Sequence, residues 1–376
     1  MARLGDVATY INGYAFKPSD WSDTGISIIR IQDLTGNSYQ ANRYNGGYSK
    51  KYEVLSGDVL ISWSASLGVY IWAGEKAVLN QHIFKVVFDK CPVDKNFFVH
   101  QVQEILSKAK SSAHGATMKH LTKPVFDALP FYLPPLDEQC RIAAVLDKVS
   151  GLIAKRREQL DKLDELVKAR FVEMFGDCKT NPKGWETCCL EEIAEVGSSK
   201  RVFVEELKDE GIPFYRGTEV GALAEGMTII PELFITEEHY KDLCEMTGKP
   251  QKGDLLMPSI CPDGRIWLVD TDDPFYFKDG RVLWVHGISD KFDPVFLLYT
   301  LKDRIMTDYS SIASGTTFAE LKIFALKKCQ VFNAPIELQK KFSVFVLNIN
   351  TSKLTIQQSL DKLEVLKKAL MQQYFG

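Results

Sequence analysis

This chain is built from one unit used twice, and no other feature constrains its fold as tightly. From Pro135 onward the sequence matches itself from Pro335 onward at a constant offset of 200, without a gap. Pro135, Gln139, Leu160-Asp161-Lys162-Leu163, Leu166, Lys168-Ala169 and Phe175-Gly176 return as Pro335, Gln339, Leu360-Asp361-Lys362-Leu363, Leu366, Lys368-Ala369 and Phe375-Gly376. The same offset reaches back to Gly115-Ala116-Thr117-Met118 and Gly315-Thr316-Thr317-Phe318. Earlier it drifts. Leu4–Ala8 aligns with Leu190–Ala194, and Gly25–Arg30 with Gly211–Arg216, at 186; Ser56–Leu60 aligns with Lys252–Leu256 at 196. Self-similarity of this kind marks a duplicated structural unit. Here the unit is a globular part that tolerates insertions, followed by a tail of fixed length.

The tails read as helices. In the first, Ile142, Leu146, Val149, Ile153, Leu160, Leu163 and Val167 follow steps of four and three. In the second, Phe342, Val346, Ile349, Ile356, Leu360, Leu363 and Leu370 hold the equivalent places. A sustained period of 3.5 residues is the seam of a coiled coil. Two amphipathic helices, each packed on its own domain, are the alternative reading. Prolines 134, 135 and 335 open the tails, and Gly176 and Gly376 close them. The globular parts alternate short β-like runs (27–31, 59–63, 69–72, 82–88, 255–258, 266–269 and 282–285) with turn signals such as Ser56-Gly57-Asp58 and Lys278-Asp279-Gly280. Helical stretches come after them at 95–110 and 294–309. The expected fold class is α+β, with two tandem domains, each followed by a long helix, and the two helices pairing as a coiled coil. The expected boundaries are 1–134, 135–176, 177–334 and 335–376.

The chemistry of an enzyme is missing from this pattern. There is no GxxxxGK[ST] phosphate loop and no GxGxxG after a strand. The strings closest to an amino-methyltransferase loop, Leu133-Pro134-Pro135-Leu136 and Asn333-Ala334-Pro335-Ile336, lack its residues and begin helices, where proline has a structural role. The eight cysteines are scattered without a CxxC pair, so free thiols and no structural metal are expected. No apolar run reaches membrane-spanning length, and Met1–Gly13 lacks the core of a signal peptide. A soluble cytoplasmic binder, not an enzyme, is the expectation. The formal charge of −3 is unevenly spread: residues 1–134 hold 14 Lys+Arg against 11 Asp+Glu, whereas residues 177–334 hold 18 against 27.

Several strings then resemble a known family. Asn181-Pro182-Lys183-Gly184-Trp185 followed by Leu190-Glu191-Glu192-Ile193 is similar to the opening of a target-recognition domain in type I restriction-modification specificity subunits. Gly13–Lys17, Ile29–Asp33, Gly57–Ser62, Asn80-Gln81-His82 and Leu133–Gln139 look like further family positions. The resemblance covers the whole chain. It departs in the first copy, which lacks the Pro-x-Gly-Trp lead, and in the second, where Lys278-Asp279-Gly280-Arg281 stands near the place of Asn80-Gln81-His82. The resemblance implies that the two helices pair as an antiparallel coiled coil with a recognition domain at each end, in a non-catalytic subunit that reads a bipartite site on double-stranded DNA and docks methyltransferase (modification) subunits, which restriction subunits join. It implies no cofactor in this chain: S-adenosylmethionine, ATP and magnesium would sit on the partners.

Base edges and phosphates call for planar hydrogen-bonding groups and cations on loops. In the first domain these are Tyr14, Lys17, Arg30, Gln32, Ser64, Gln81, His82, Lys119 and His120. In the second they are Lys200, Arg201, Arg216, Ser259, Arg265, Lys278 and Arg281. The acidic surplus of residues 177–334 is expected to lie away from a local basic face containing Arg265 and Arg281. That same surplus favours the competing reading, a coiled-coil scaffold whose globular lobes bind proteins.

Overall fold

The computed structural model describes residues 1–37, 42–64, 66–112, 122–314 and 319–376. The chain forms two compact units, Met1–Glu158 with Gln357–Gly376 and Gln159–Ile356.

In the first unit a four-stranded antiparallel sheet runs in the order Thr9–Asn12, Ile83–Val87, Val59–Ser62, Gly68–Ile71. Val59–Ser62 is buried throughout, as a continuous apolar run on a central strand requires. Gly57, with φ +89°, makes the turn that feeds it. A second sheet pairs Ile26–Ile29 in parallel with Ala77–Leu79 and antiparallel with Arg43–Tyr44. The core joins Leu4, Val7, Tyr10, Phe84, Phe97, Phe98, Phe126 and Phe131 to Ile142, Leu146 and Met371 from the two long helices.

The second unit repeats this frame. Its sheet runs Glu195–Gly197, Val282–His286, Leu255–Pro258, Trp267–Leu268. Ile212–Tyr215 again pairs in parallel with a later strand, Tyr276–Phe277, and antiparallel with Phe234–Ile235. Most strands fall where alternation and turns place them. The strand expected to run to Ile31 instead ends at Ile29, because Asp33 accepts from the Arg30 backbone N–H at 2.7 Å and starts the short helix Ile31–Leu34. The two parallel partners, Ala77–Leu79 and Tyr276–Phe277, are too short to show a period.

Both tails are unbroken helices of 40 residues, the central helix Leu136–Phe175 and the distal helix Ile336–Phe375. In the first unit the beginning of the central helix packs with the end of the distal helix: Ile142, Ala143 and Leu146 share a core with Met371, and Arg157 bonds Glu364 at 2.6 Å. In the second unit the order is reversed. Val167 and Phe171 pack with Phe342 and Val346, and Lys353 bonds Asp164 at 2.8 Å. Within each unit the pair is therefore antiparallel. Ile142, Leu146, Val149, Ile153, Val167, Phe342, Val346 and Leu360 are buried, and Leu160, Leu163, Ile349, Ile356, Leu363 and Leu370 are half-buried along the same stripe. Self-packing on a domain and mutual pairing, posed as alternatives by the sequence, occur together.

The repeated glutamine has a structural reason. The Gln139 side chain accepts from the Asp94 N–H at 2.9 Å and donates to the Pro134 carbonyl at 2.8 Å. Gln339 accepts from the Asp293 N–H at 2.8 Å and donates to the Ala334 carbonyl at 2.7 Å. Both are buried, so each amide ties the start of a long helix to the start of an earlier helix of its domain, Lys95–Ser112 or Pro294–Ile312. Gln339→Leu leaves those backbone groups buried without partners, a loss of about 1–3 kcal/mol. Urea unfolding should show a lower midpoint for Gln339→Leu, while exposed Lys341→Ala stays within about 0.5 kcal/mol of the parent.

Candidate nucleic-acid interface

In the first unit the two parallel strands end on the same side, and the segments that leave them converge. Arg30 succeeds the first strand and Asn80-Gln81-His82 the second. The Asn80 N–H donates to the Ile29 carbonyl at 3.1 Å, the Gln81 N–H to the Tyr14 carbonyl at 2.8 Å, and the Trp63 N–H to the His82 carbonyl at 3.2 Å. Gly13 permits this approach, since a Cβ there would lie 2.0 Å from the Asn80 carbonyl oxygen. His82 takes a left-handed φ of +74° and packs its ring against Trp63. Tyr14, Arg30, Gln81 and His82 thus form one cluster.

The other sequence candidates divide. Tyr14 is exposed and meets the rings of Phe16 and Tyr52, while Phe16 is buried. Lys17 is exposed at the start of the turn Pro18–Asp20, its backbone N–H held by Asp20 at 2.7 Å. The Arg30 guanidinium lies 5.2 Å over the Trp21 ring, and Gln32 is half-buried in the short helix. Ser64 is buried, at 6% exposure, which withholds its side chain from a ligand in this conformation. Lys119 and His120, together with the repeated Gly115–Met118 and Gly315–Phe318, lie outside the described residues.

The second unit assembles the equivalent cluster. The Lys278 N–H donates to the Tyr215 carbonyl at 2.9 Å, and the Lys200 N–H to the Tyr276 hydroxyl at 3.0 Å. Ser199 donates to the Phe277 carbonyl at 2.6 Å. Ser259 is buried, at 2% exposure, like Ser64. Lys200, Arg201, Arg216, Lys278 and Arg281 are brought to these strand ends, and Arg265 stands beside the helix that begins after Arg216, near Gly221.

The expected separation of acidic and basic surface does not occur. Arg201 meets Asp279 at 3.3 Å. Arg216 binds Glu219 and, at 3.1 Å, Glu232. Arg265 meets Asp263 at 2.9 Å and Glu225 at 3.8 Å, and Arg281 meets Glu320. Carboxylates are interleaved with the arginines because the turns that carry the cations also use Asp and Glu as caps; Glu219 accepts from the Arg216 backbone N–H at 2.8 Å as well as from its side chain. Burial works against the charge of Glu219, but the Arg216 hydrogen bonds outweigh it and hold its carboxyl down at about 2. Such exposed pairs contribute little stability. They do fix guanidinium positions, and a bound polyanion would have to exchange a phosphate for a carboxylate at each of them. Lys200 and Lys278 are exposed without an ion pair among the described residues.

Two residues of these clusters escape a search for polar loop side chains. Trp63 donates from its indole to the Asn12 side chain at 3.2 Å and packs on His82. Phe203 stands at the position of Lys17 in the other copy, 52% exposed. The first carries a β-like aromatic signal and the second only the offset of 186. Among the described residues no group of acidic, His or Cys side chains could hold a metal ion, and no helix is long and apolar enough to cross a membrane.

Comparisons with known proteins agree in one direction. A family model described as the type I restriction modification DNA specificity domain matches residues 1–164. The type I restriction enzyme EcoBI specificity subunit of Escherichia coli is 30% identical over 168 residues, which cover 44% of this chain and 35% of that protein. The type I restriction enzyme MjaVIII specificity subunit of Methanocaldococcus jannaschii is 23% identical over 398 residues, covering 99% of this chain and 90% of that one. The chain thus matches about a third of the bacterial relative and nearly all of the archaeal one. A crystal structure of the S subunit of a type I restriction-modification system from M. genitalium has the same fold, with a TM-score of 0.57 at 15% identity over 100% of this chain and 95% of that one.

Proposed function

We propose that this chain, which belongs to the type I restriction-modification specificity subunits, reads a two-part DNA site for partner subunits and performs no catalysis itself. The observation that carries the proposal is the duplicated reader. Each unit brings cations and planar side chains to the ends of the same parallel strand pair, beside a four-stranded sheet of the same strand order. Base contacts from such strand-end loops specify sequence, and the cations position the phosphates. The first copy offers Tyr14, Lys17, Gln81 and His82 where the second offers Lys200, Phe203 and Lys278–Arg281, so the two half-sites are expected to differ.

Methyltransferase subunits are the proposed partners on the long helices. The repeated string around Leu166 and Leu366 supports this: both leucines face outward, 46% and 45% exposed, although the same residues recur in each copy. A core role does not explain an outward leucine kept twice; a surface offered twice to like partners does. Restriction subunits would join that assembly. S-adenosylmethionine, ATP and magnesium would be held by these partners, and the working compartment would be the cytoplasm.

The acidic surplus, which favours a protein-binding scaffold, already counts the arginines of the second cluster and remains after their ion pairs. The deciding experiment is co-expression with type I methyltransferase subunits from the same genome, followed by sequencing of host DNA for methylated adenine. A two-part methylated motif is expected, present only when this chain is present. The purified chain alone should neither methylate nor cleave DNA nor hydrolyse ATP. Methylation by the isolated chain, or a motif unchanged by its deletion, overturns the proposal.

A further inference from the structure

The two readers use one backbone device to present different chemistry. In the first copy the turn Pro18–Asp20 is closed by Asp20, which accepts from the Lys17 N–H at 2.7 Å. In the second the turn Val204–Glu206 is closed by Glu206, which accepts from the Phe203 N–H at 2.7 Å. Lys17 and Phe203 are thus equivalent, each the residue just ahead of a capped single turn. The segment before Phe203 is anchored from both sides. Lys200 donates to Tyr276 at 3.0 Å, Arg201 meets Asp279 at 3.3 Å, and Val202 packs in the small core of Phe214, Ile235 and Tyr276. The apolar tip stays open to solvent: Phe203 is 52% exposed and Val204 82%.

An aromatic on a fixed turn, beside two cations of the DNA-reading cluster, cannot gain from a phosphate. The apolar feature that DNA offers in its major groove is the C5-methyl group of thymine. We propose that Phe203, supported by Val204, reads a thymine methyl group in the half-site of the second domain, at the place where the first domain presents the cation of Lys17. Phe203 is then a specificity-determining residue that a search for hydrogen-bonding side chains passes over. A wedge inserted between base pairs would use the same side chain but would not depend on the methyl group.

This inference rests on the DNA-reading function, and its test separates the two. Once the methylated motif of the assembled complex is known, each thymine of both half-sites is replaced in turn by deoxyuridine, which removes the methyl group alone. Binding of the wild-type complex should fall about fourfold at one thymine, the equivalent of one buried carbon at ~0.8 kcal/mol. Phe203→Ala should bind the parent DNA about as weakly as wild type binds that substituted DNA, and should itself ignore the substitution. Phe203→Leu should restore part of the discrimination, and Lys17→Ala should leave it untouched. Absence of any two-part motif defeats the DNA-reading function and this inference with it. A motif whose thymines all tolerate deoxyuridine, or a deoxyuridine penalty that persists in Phe203→Ala, overturns the inference alone. So does equal weakening of Phe203→Ala on both DNAs with no penalty in wild type, the result a wedge would give.

Discussion

Exchanging the first reader for that of another family member should rewrite one half of the recognised sequence and leave the other half intact. Each copy carries its own sheet, its own parallel strand pair and its own set of strand-end side chains, so the information for each half-site is local. The effect is large because it replaces every base contact of one half-site, at about 1–3 kcal/mol per bidentate contact. Residues 1–134 are the natural cassette. The structure adds a condition to the exchange: Phe97 packs its ring on Phe375, 5.5 Å between centroids, and Met371 lies in the same core, so the incoming domain must offer an apolar face to the end of the chain. Methylome sequencing of cells expressing the hybrid with its partner subunits reads the outcome. A motif altered in both halves would mean that the readers are not independent.

Lengthening both long helices by one heptad should move the two half-sites apart while the bases in each stay the same. A helix of 40 residues spans about 60 Å at about 1.5 Å per residue. One heptad keeps the seam in phase and adds about 10 Å, or about three base pairs at about 3.4 Å each along one strand. Insertions after Gln159 and Ser359 fall close to where each helix passes from one unit to the other, between Glu158 and Gln159 and between Ile356 and Gln357. They add length without entering either core. Three base pairs also turn a half-site by roughly 100° around the duplex, given about 10.5 pairs per turn. The DNA must twist to compensate, and affinity should drop as the spacer grows. An unchanged spacer with methylation retained would show that the helices do not set the distance.

The net charge of the second domain says little about how charge is placed at its strand ends. Counting Lys and Arg against Asp and Glu over 177–334 gives a net −9, which argues against a polyanion. The structure shows that Glu219, Glu232, Asp279, Asp263 and Glu320 stand against arginines at the strand ends. Net charge sums over the domain, whereas a polyanion would meet only one face of it. A sequence gives no distance between Arg281 and Glu320, 39 residues apart.

The duplication, the α+β class and the helical seam were legible in the sequence because they rest on period and spacing, which the chain carries openly. Steps of four and three place Ile142, Leu146, Phe342 and Val346 on one stripe of a helix whatever the helix packs against. Gln139 and Gln339 announced a shared role by recurring, without saying what it was; only the fold shows a buried amide bridging two helix starts. The strand ends were decided by tertiary structure. Ala77–Leu79 and Tyr276–Phe277 are strands because a parallel neighbour completes their hydrogen bonds, and runs this short hold no period of their own. Ser64 and Ser259 read as surface hydroxyls and are buried, while Phe203, an apolar side chain, is half open to solvent. Burial at a loop is set by what the rest of the chain lays over it, and that depends on contacts between residues far apart in sequence, which neither composition nor local pattern encodes.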